Sequence, residues 1–367
     1  MANPIVGKRM YLIPILSKTL DVLEMLEEQK RPLTLEQIHK QTGISKTTVF
    51  RILRTLVHRG YVSRPEDGRY RLVSRPKKLR FGFAGQSGQL PFSVAVTESL
   101  KSAAMAAGIG LLVLDNEYDG EVARRNVDHF IEERVDLVLE FQTDRHVAPI
   151  IANKLAEAGI PLIAVDSPHP NAIYFGVDNY RAGLDGGDLL GAVALERFKG
   201  NIDFVVGLDL VRAGSLVQSR ITGAFEGIRE RLGNIPAEKF VRLDSCGLRE
   251  ESYKVMRAFL RKNRAARKIL VAAINDTAAL GAIDAARELE REQHLCMVSH
   301  DCIDEALEEM HRKNSPLVAS VSHEVAKYGP SLIQLGLSLL KGESIAPYNY
   351  VEHKIVKSPA LAHRTSR

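Results

Sequence analysis

The sequence predicts an α/β chain of 367 residues: an N-terminal winged helix domain, then a two-lobed body with doubly wound parallel sheets. Three observations predict it. Up to about residue 60 the apolar residues recur with helical spacing, and two short strands around a turn follow. From Leu79 onward, short β-rich apolar runs alternate with helical segments. The charge divides at the same place. Residues 1–80 carry 17 Lys and Arg against 7 Asp and Glu, whereas the remaining 287 carry 33 against 38. A basic module on an acidic body suits a chain that meets nucleic acid through one end, although a basic terminus is also common solvated surface.

The N-terminal part reads as three helices. "SKTLDVLEMLEEQ" places Leu20, Leu23, Met25 and Leu26 mostly along one stripe. In "TLEQIHKQTG", Thr34 and Gln37 have the spacing of a capping box, and Gly43 ends the helix. The third helix starts at Ser45, a candidate N-cap, and runs to about Arg59. Its stripe is Val49, Ile52, Leu53, Leu56 and Val57. The turn between the second and third helices is short and contains Gly, as a helix-turn-helix requires. "GYVSRPEDGRYRLV" follows as two strands around Pro-Glu-Asp-Gly, completing a winged helix.

Roles follow from geometry. The N-terminal end of the third helix would enter a major groove. Ser45, Thr47 and Thr48 are short donors there, and Lys46, Arg51 and Arg54 are long enough for phosphates or a guanine edge. Arg64, Arg69 and Arg71 lie on the wing. Any one of these arginines is as well explained as a solvated residue; the whole constellation argues for DNA. The segments quoted, with "DGRYRL" in the wing, resemble the IclR-type winged helix over about residues 14–73.

The body has ten predicted strands: "LRFGFAG", "GLLVLD", "VDLVLEF", "IPLIAVD", "AIYFGVD", "IDFVVGLD", "FVRLD", "ILVAAIND", "LCMVSHD" and "LVASVSH". The expected boundaries are a winged helix at 1–73, a Pro-containing basic linker at 74–78, the body at 79–357 and a tail at 358–367. The first lobe is expected at about 79–177 and 324–345, the second at about 178–323 and 346–357. Several strands end in Asp, Asn or Gln: Asp115, Asn116, Gln142, Asp166, Asn275, Asp276 and Asp301. Ligands of open α/β sheets sit at that edge, and carboxylates and amides there suit a polyhydroxy ligand. Such residues are equally good helix N-caps, and for any single one capping is the simpler job.

"RFGFAGQSGQLPFSVAVTESL", "GVDNYRAGLDGGDLL", "SRITGAFEGI", "AINDTAALGAIDAA" and "SVSHEVAKYG" resemble the type 1 periplasmic-binding-protein fold, as used by ribose-type sugar-binding proteins and the effector domains of LacI-type repressors. The resemblance covers about residues 79–357 and implies a ligand set. Phe92 would stack on a sugar face, Asp166, Asn275 and Asp301 would bind hydroxyls, Arg220 would make charge-assisted bonds, and His323, with Glu324 beside it, would take a position often held by Gln. The sequence departs from that pattern at Gln89, Ser93 and Ser167, and no aromatic residue lies near Cys246. These departures leave open a smaller ligand, one less apolar on its second face, or one that is not a sugar.

Other functions find no machinery. There is no GxxxxGK[ST] loop, no dinucleotide fingerprint after "GIG", no nucleophile elbow at "GQSGQ", and Lys327 stands where a zincin needs its second His. No catalytic residue, cofactor or metal is expected. Cys246, Cys296 and Cys302 suggest a reducing compartment, and no signal peptide or membrane span is read. The expectation is a cytoplasmic, ligand-responsive repressor that binds operator DNA as a homodimer and senses a carbohydrate-like effector. The alternatives are a solute-binding protein of a sugar transporter, and a DNA-bound architectural protein whose cleft has lost its ligand.

Overall fold

The computed structural model describes residues 13–29, 31–73 and 78–362. The chain divides into two compact units, Met1–Lys77 and Lys78–Arg367. The expected linker at 74–78 lies outside the described residues except for Lys78.

The first unit holds α1 (Pro14–Gln29), α2 (Leu35–Thr42), α3 (Lys46–His58), β1 (Val62–Ser63) and β2 (Arg71–Leu72). β1 and β2 pair antiparallel across the Pro-Glu-Asp-Gly turn. The α2 cap is the expected box: Thr34 accepts from the Gln37 N–H, and the Gln37 side chain accepts from the Thr34 N–H at 2.8 Å. Gly43 closes the helix at φ 67°, a left-handed conformation that favours glycine. Two details differ from expectation. Ser45 occupies the N-cap of α3 but caps nothing; its Oγ lies 2.8 Å from Thr48 Oγ1 instead. The core of this unit is Val22, Leu26, Leu33, Ile38, Val49, Ile52, Leu53, Leu56, Val62 and Tyr70, whereas Leu20 is 48% and Val57 37% exposed. Three helices and a short hairpin bury only a narrow stripe, so the outermost apolar residues stay outside it.

The second unit begins with β3 (Arg80–Gly85), α4 (Pro91–Ala106), β4 (Gly110–Asp115), α5 (Gly120–Glu132), β5 (Leu137–Glu140), α6 (Ala148–Glu157), β6 (Leu162–Val165) and β7 (Ile173–Val177). It continues with α7 (Asn179–Phe198), β8 (Phe204–Asp209), α8 (Ser215–Leu232), β9 (Phe240–Asp244), α9 (Arg249–Lys262) and β10 (Ile269–Ala273). Then come α10 (Asp276–Glu288), β11 (Leu295–His300), α11 (Asp304–His311), β12 (Leu317–Ser322), α12 (Tyr328–Leu340), β13 (Tyr348–Val351), β14 (Lys354–Lys357) and α13 (Pro359–Ala362). The ten predicted strands are β3 to β12.

They form two six-stranded sheets, β13-β7-β6-β5-β3-β4 and β14-β12-β11-β10-β8-β9. All pairings are parallel except β12 with β14. The chain therefore crosses between lobes three times: at Asp178, between Ser322 and Tyr328, and at Glu352–His353. Here the expected boundary is corrected. The sequence assigns residues 346–351 to the second lobe, but β13 pairs with β7 of the first (Tyr348 with Tyr174, Val351 with Val177). Polar and aromatic residues alternate in "YNYV", a pattern of an edge strand rather than of the apolar runs that revealed the other strands. The expected tail also carries structure: Pro359–Ala362 is a helical turn with Leu361 buried.

In the second lobe α7 and α8 pack with their backbones nearly touching. A Cβ at Gly183 would lie 1.9 Å from Arg220 O, at Gly187 2.1 Å from Ala224 O, and at Gly223 2.1 Å from Tyr180 O. This close approach explains Gly183 and Gly187 of "RAGLDGG" and Gly223 and Gly227 of "SRITGAFEG", and it fixes Arg220 in space.

Candidate ligand cleft and nucleic-acid interface

Both sheets present their carboxyl ends to the cleft between the lobes, as open parallel sheets do at ligand sites. A cavity of about 70 Å³ lies there. Phe92, Asp166, Arg220, Asn275, Asp301 and His323, far apart in sequence, all line it. Gln86, Phe141, Thr143, Ser167 and Thr277 join them, with Leu90, Leu210, Val217 and Ile274 as apolar wall.

Each side chain is held differently. Phe92, in the first turn of α4, meets Phe141, His323 and Tyr328 edge to face, at 6.3, 5.8 and 5.7 Å between ring centroids. Arg220 is 8% exposed; its Nε donates to Asn179 Oδ1 at 3.0 Å and its Nη1 to Ile274 O at 2.6 Å. Its charge thus sits beneath the cleft, anchored to the start of α7 and the end of β10. Asn275 caps α10, accepting from the Ala278 N–H at 2.8 Å and donating to Gly247 O at 3.0 Å. One lone pair and one proton remain for a ligand. Asp166 Oδ1 accepts from Tyr328 Oη at 2.9 Å and from the Val177 N–H at 3.3 Å. Its Oδ2 and the Ser167 Oγ are buried without a partner.

Burial governs the electrostatics. It pushes the Asp166 carboxyl up to about 6 against the opposing Tyr328 bond and Arg220 charge. Burial also raises Asp301 well above the usual carboxylate range, with Asp276 adding to it. The His323 and His300 imidazoles fall well below theirs, through burial and then the Arg220 cation. His323 Nδ1 lies 3.4 Å from Asp301 Oδ1. By distance this is an ion pair, but the shifts drive both groups toward their neutral forms, and we read it as a neutral contact.

Other strand-end polar residues serve the fold. Asp276 accepts from Ser320 Oγ at 2.7 Å, from the Ile303 N–H at 2.9 Å and from Ser299 Oγ. Asn116 donates to Glu140 Oε1 at 2.8 Å, and Asp115 accepts from the Gly88 N–H at 2.9 Å. Ser93 turns inward and accepts from the Ser87 N–H at 3.0 Å. Cys296 fills core, whereas Cys302 is half-buried and faces Ser320 O at 3.3 Å. Sequence reasoning missed Tyr328, Asn179, Thr143 and Thr277. Only "GVDN" hinted at Asn179, through its Asp-Asn helix start.

The lobes also touch across the cleft mouth. Tyr118 Oη donates to Cys246 O at 2.7 Å, and Arg212 lies 4.8 Å over the Tyr118 ring with Asp144 at 3.6 Å.

In the first unit, Ser45, Lys46, Thr47, Arg51, Arg54 and Arg69 are exposed and Thr48 is half-buried, so α3 and the wing present the expected face. Lys46 Nζ is 2.7 Å from Glu36 Oε2, a surface pair that a phosphate can displace at little cost. Arg64 folds onto the wing, 5.3 Å over the Tyr70 ring.

A winged helix and a two-lobed cleft define a DNA-binding module joined to a ligand-binding one. Residues 81–344 match the periplasmic binding protein domain, and the chain belongs to that family. Residues 15–66 match the IclR helix-turn-helix domain. The HTH-type transcriptional regulator XynR of Escherichia coli (strain K12) is 38% identical over 64 residues, 17% of this chain and 25% of that protein. The match thus spans about a quarter of that relative's length.

Among solved structures, a Mycobacterium smegmatis protein in complex with β-D-fucofuranose superposes with a TM-score of 0.66 at 22% identity, over 78% of this chain and 95% of that one. A solute-binding protein of Bacillus halodurans C-125 with bound myo-inositol gives 0.66 at 19%, over 80% and 99%. One from Actinobacillus succinogenes 130z with bound D-allose gives 0.66 at 18%, over 78% and 100%. At these identities the likeness is one of fold. Among the described residues, no helix is long and apolar enough to cross a membrane and no group of three or more His, Cys, Asp or Glu could hold a metal.

Proposed function

We propose that the chain is a ligand-responsive DNA-binding transcriptional regulator, a repressor, that senses a sugar or similar small polar ligand between its lobes. The observation that carries this reading is the convergence of six chemically apt residues on one interlobe cavity, in a chain that also bears a winged helix. Asp166, Asn275 and Asp301 offer hydroxyl partners, Arg220 a fixed charge, Phe92 an apolar ring and His323 a neutral imidazole. Ligands of three structural neighbours are polyhydroxy compounds: β-D-fucofuranose, myo-inositol and D-allose.

The cavity of about 70 Å³ is under half of the ~150 Å³ that holds a benzene, so the lobes part to admit a ring. A ligand that binds the closed form better shifts the population toward it. We propose that DNA is met by a homodimer in the cytoplasm, because one winged helix gives few base contacts and a dimer matches a palindromic site. A sedimentation run showing only monomer, with and without DNA, would count against the dimer.

The test of the sensor is thermal unfolding against pentoses, hexoses, polyols and their phosphates. A ligand at about 100 times its Kd adds roughly 2.7 kcal/mol. The expected result is a hit that disappears in Asp301→Ala and Arg220→Ala. No hit across the panel would remove the sugar reading and leave the winged helix.

A further inference from the structure

The fully buried Tyr328, which the ligand set does not include, touches two of that set. It opens α12, just after the second crossover between lobes. Its hydroxyl donates to Asp166 Oδ1 at 2.9 Å, and its ring stands edge to face on Phe92 at 5.7 Å and on Phe175 at 5.2 Å. Asp166 itself is forced into the left-handed region, at φ 56°, where its carboxyl swings back under β7 to take the Val177 N–H. Oδ1 is therefore held twice, and Oδ2 is left buried with no protein partner in a residue that lines the cavity.

We propose that Tyr328 is a positioning residue for the ligand site: it fixes the aim of Asp166, favours the charged form of that carboxyl, and props the Phe92 ring that faces the same cavity. The inference rests on the reading of Asp166 as a ligand group. An unpartnered oxygen in a buried carboxyl either carries a proton or meets a donor. The Tyr328 bond favours the charged form, which accepts from ligand hydroxyls; burial favours the acid, which donates. Burial outweighs the Tyr328 bond and the Arg220 charge, leaving the group raised to about 6. The other groups facing it are Arg220 from α8, Tyr174 from β7 and Asp301 after β11.

The test needs neither ligand nor DNA, so it is independent of whether the effector is a sugar. Tyr328→Phe removes one oxygen and keeps the ring. Urea unfolding of the wild type, Y328F, D166N and the double variant is followed at pH 5 and pH 8. A bond to the carboxylate is stronger than one to the acid. The Y328F loss of stability is therefore expected to be several-fold larger at pH 8 than at pH 5 in the wild-type background. In the D166N background it is expected to be the same at both. A loss of equal size at both pH values, or a pH dependence that persists with D166N, overturns the proposal. Should Y328F not fold, the carboxyl-carbon resonance of Asp166 in 13C-aspartate-labelled wild type, assigned by its absence in D166N, gives the midpoint of that carboxyl. A Tyr328 ring-carbon resonance, in 13C-tyrosine-labelled wild type, that moves at the same midpoint as the Asp166 carboxyl supports the proposal, and one that does not move with Asp166 overturns it.

Discussion

Gly223→Ala tests whether the second lobe holds Arg220 by backbone contact between α7 and α8. A Cβ at this position would sit 2.1 Å from Tyr180 O, 2.9 Å from Leu184 N and 3.1 Å from Tyr180 C. Ordinary contact begins at about 3.4 Å, so the helices must separate by about 1.3 Å. A gap of that size forfeits a large part of the dispersion contacts along both helices. Because the obstacle is backbone, no rotamer relieves it, and the cost falls at the upper end for overpacking, about 3 kcal/mol.

For a unit of about 290 residues, at roughly 2.1 cal/mol/K per residue, this lowers Tm by about 5 °C. Gly186→Ala, on the partner helix α7, is the control. Its Cβ meets only side chains, Val298 Cγ1 at 3.1 Å and Val321 Cγ2 at 3.4 Å. Those can yield, and alanine favours the helix by about 0.5 to 1 kcal/mol, so its net effect is near zero. The assay is urea unfolding with calorimetry. Equal losses in the two variants would refute the argument.

Thr34→Ala removes the capping box of α2 and is expected to destabilise the first unit by about 1 kcal/mol, read as a shift in its own unfolding transition. Arg51→Ala is expected to weaken DNA binding uniformly across sequences and to reduce the salt slope by about 1, if it contacts a phosphate; relaxed specificity at one base pair would instead assign it to a base edge. His323 and His300 titrate lower folded than unfolded. Below about pH 6.5 the unfolded chain binds more protons at these sites. Their share of stability is thus full above that pH and falls as the pH drops. The His323→Gln variant should lose less stability than the wild type between pH 7 and 5, measured by urea midpoints.

Strands β3 to β12 are legible because each is a short apolar run, most of them ending in a polar residue, as the central strands of a parallel sheet buried on both faces must read. β13 and β14 are not. "YNYV" and "KIVK" are edge strands with one face in solvent, and their place depends on where the chain last crosses between lobes. The same limit applies to the cleft. Asp166, Arg220 and Asp301 stand at strand ends or in a marked motif, so their convergence could be expected. Tyr328 carries no such signal: a tyrosine at a helix start reads as core until the tertiary structure sets its hydroxyl against Asp166. The strand-end carboxylates divide the other way. Asp276 and Asp301 look alike in sequence, yet one is consumed by two serines and an amide while the other lines the cavity.

The central claim is that occupancy of the cleft changes DNA binding. The most direct measurement is the affinity of the full chain for a DNA fragment selected from its own genome, by fluorescence anisotropy at fixed salt, with and without the compound that raises Tm. The account predicts at least a fivefold change in Kd, about 1 kcal/mol of coupling. That change should be absent in Arg220→Ala, while the variant's ligand-free DNA affinity stays that of the wild type. An affinity unmoved by saturating ligand would contradict the claim, leaving a DNA-binding module and a ligand-binding module joined without communication.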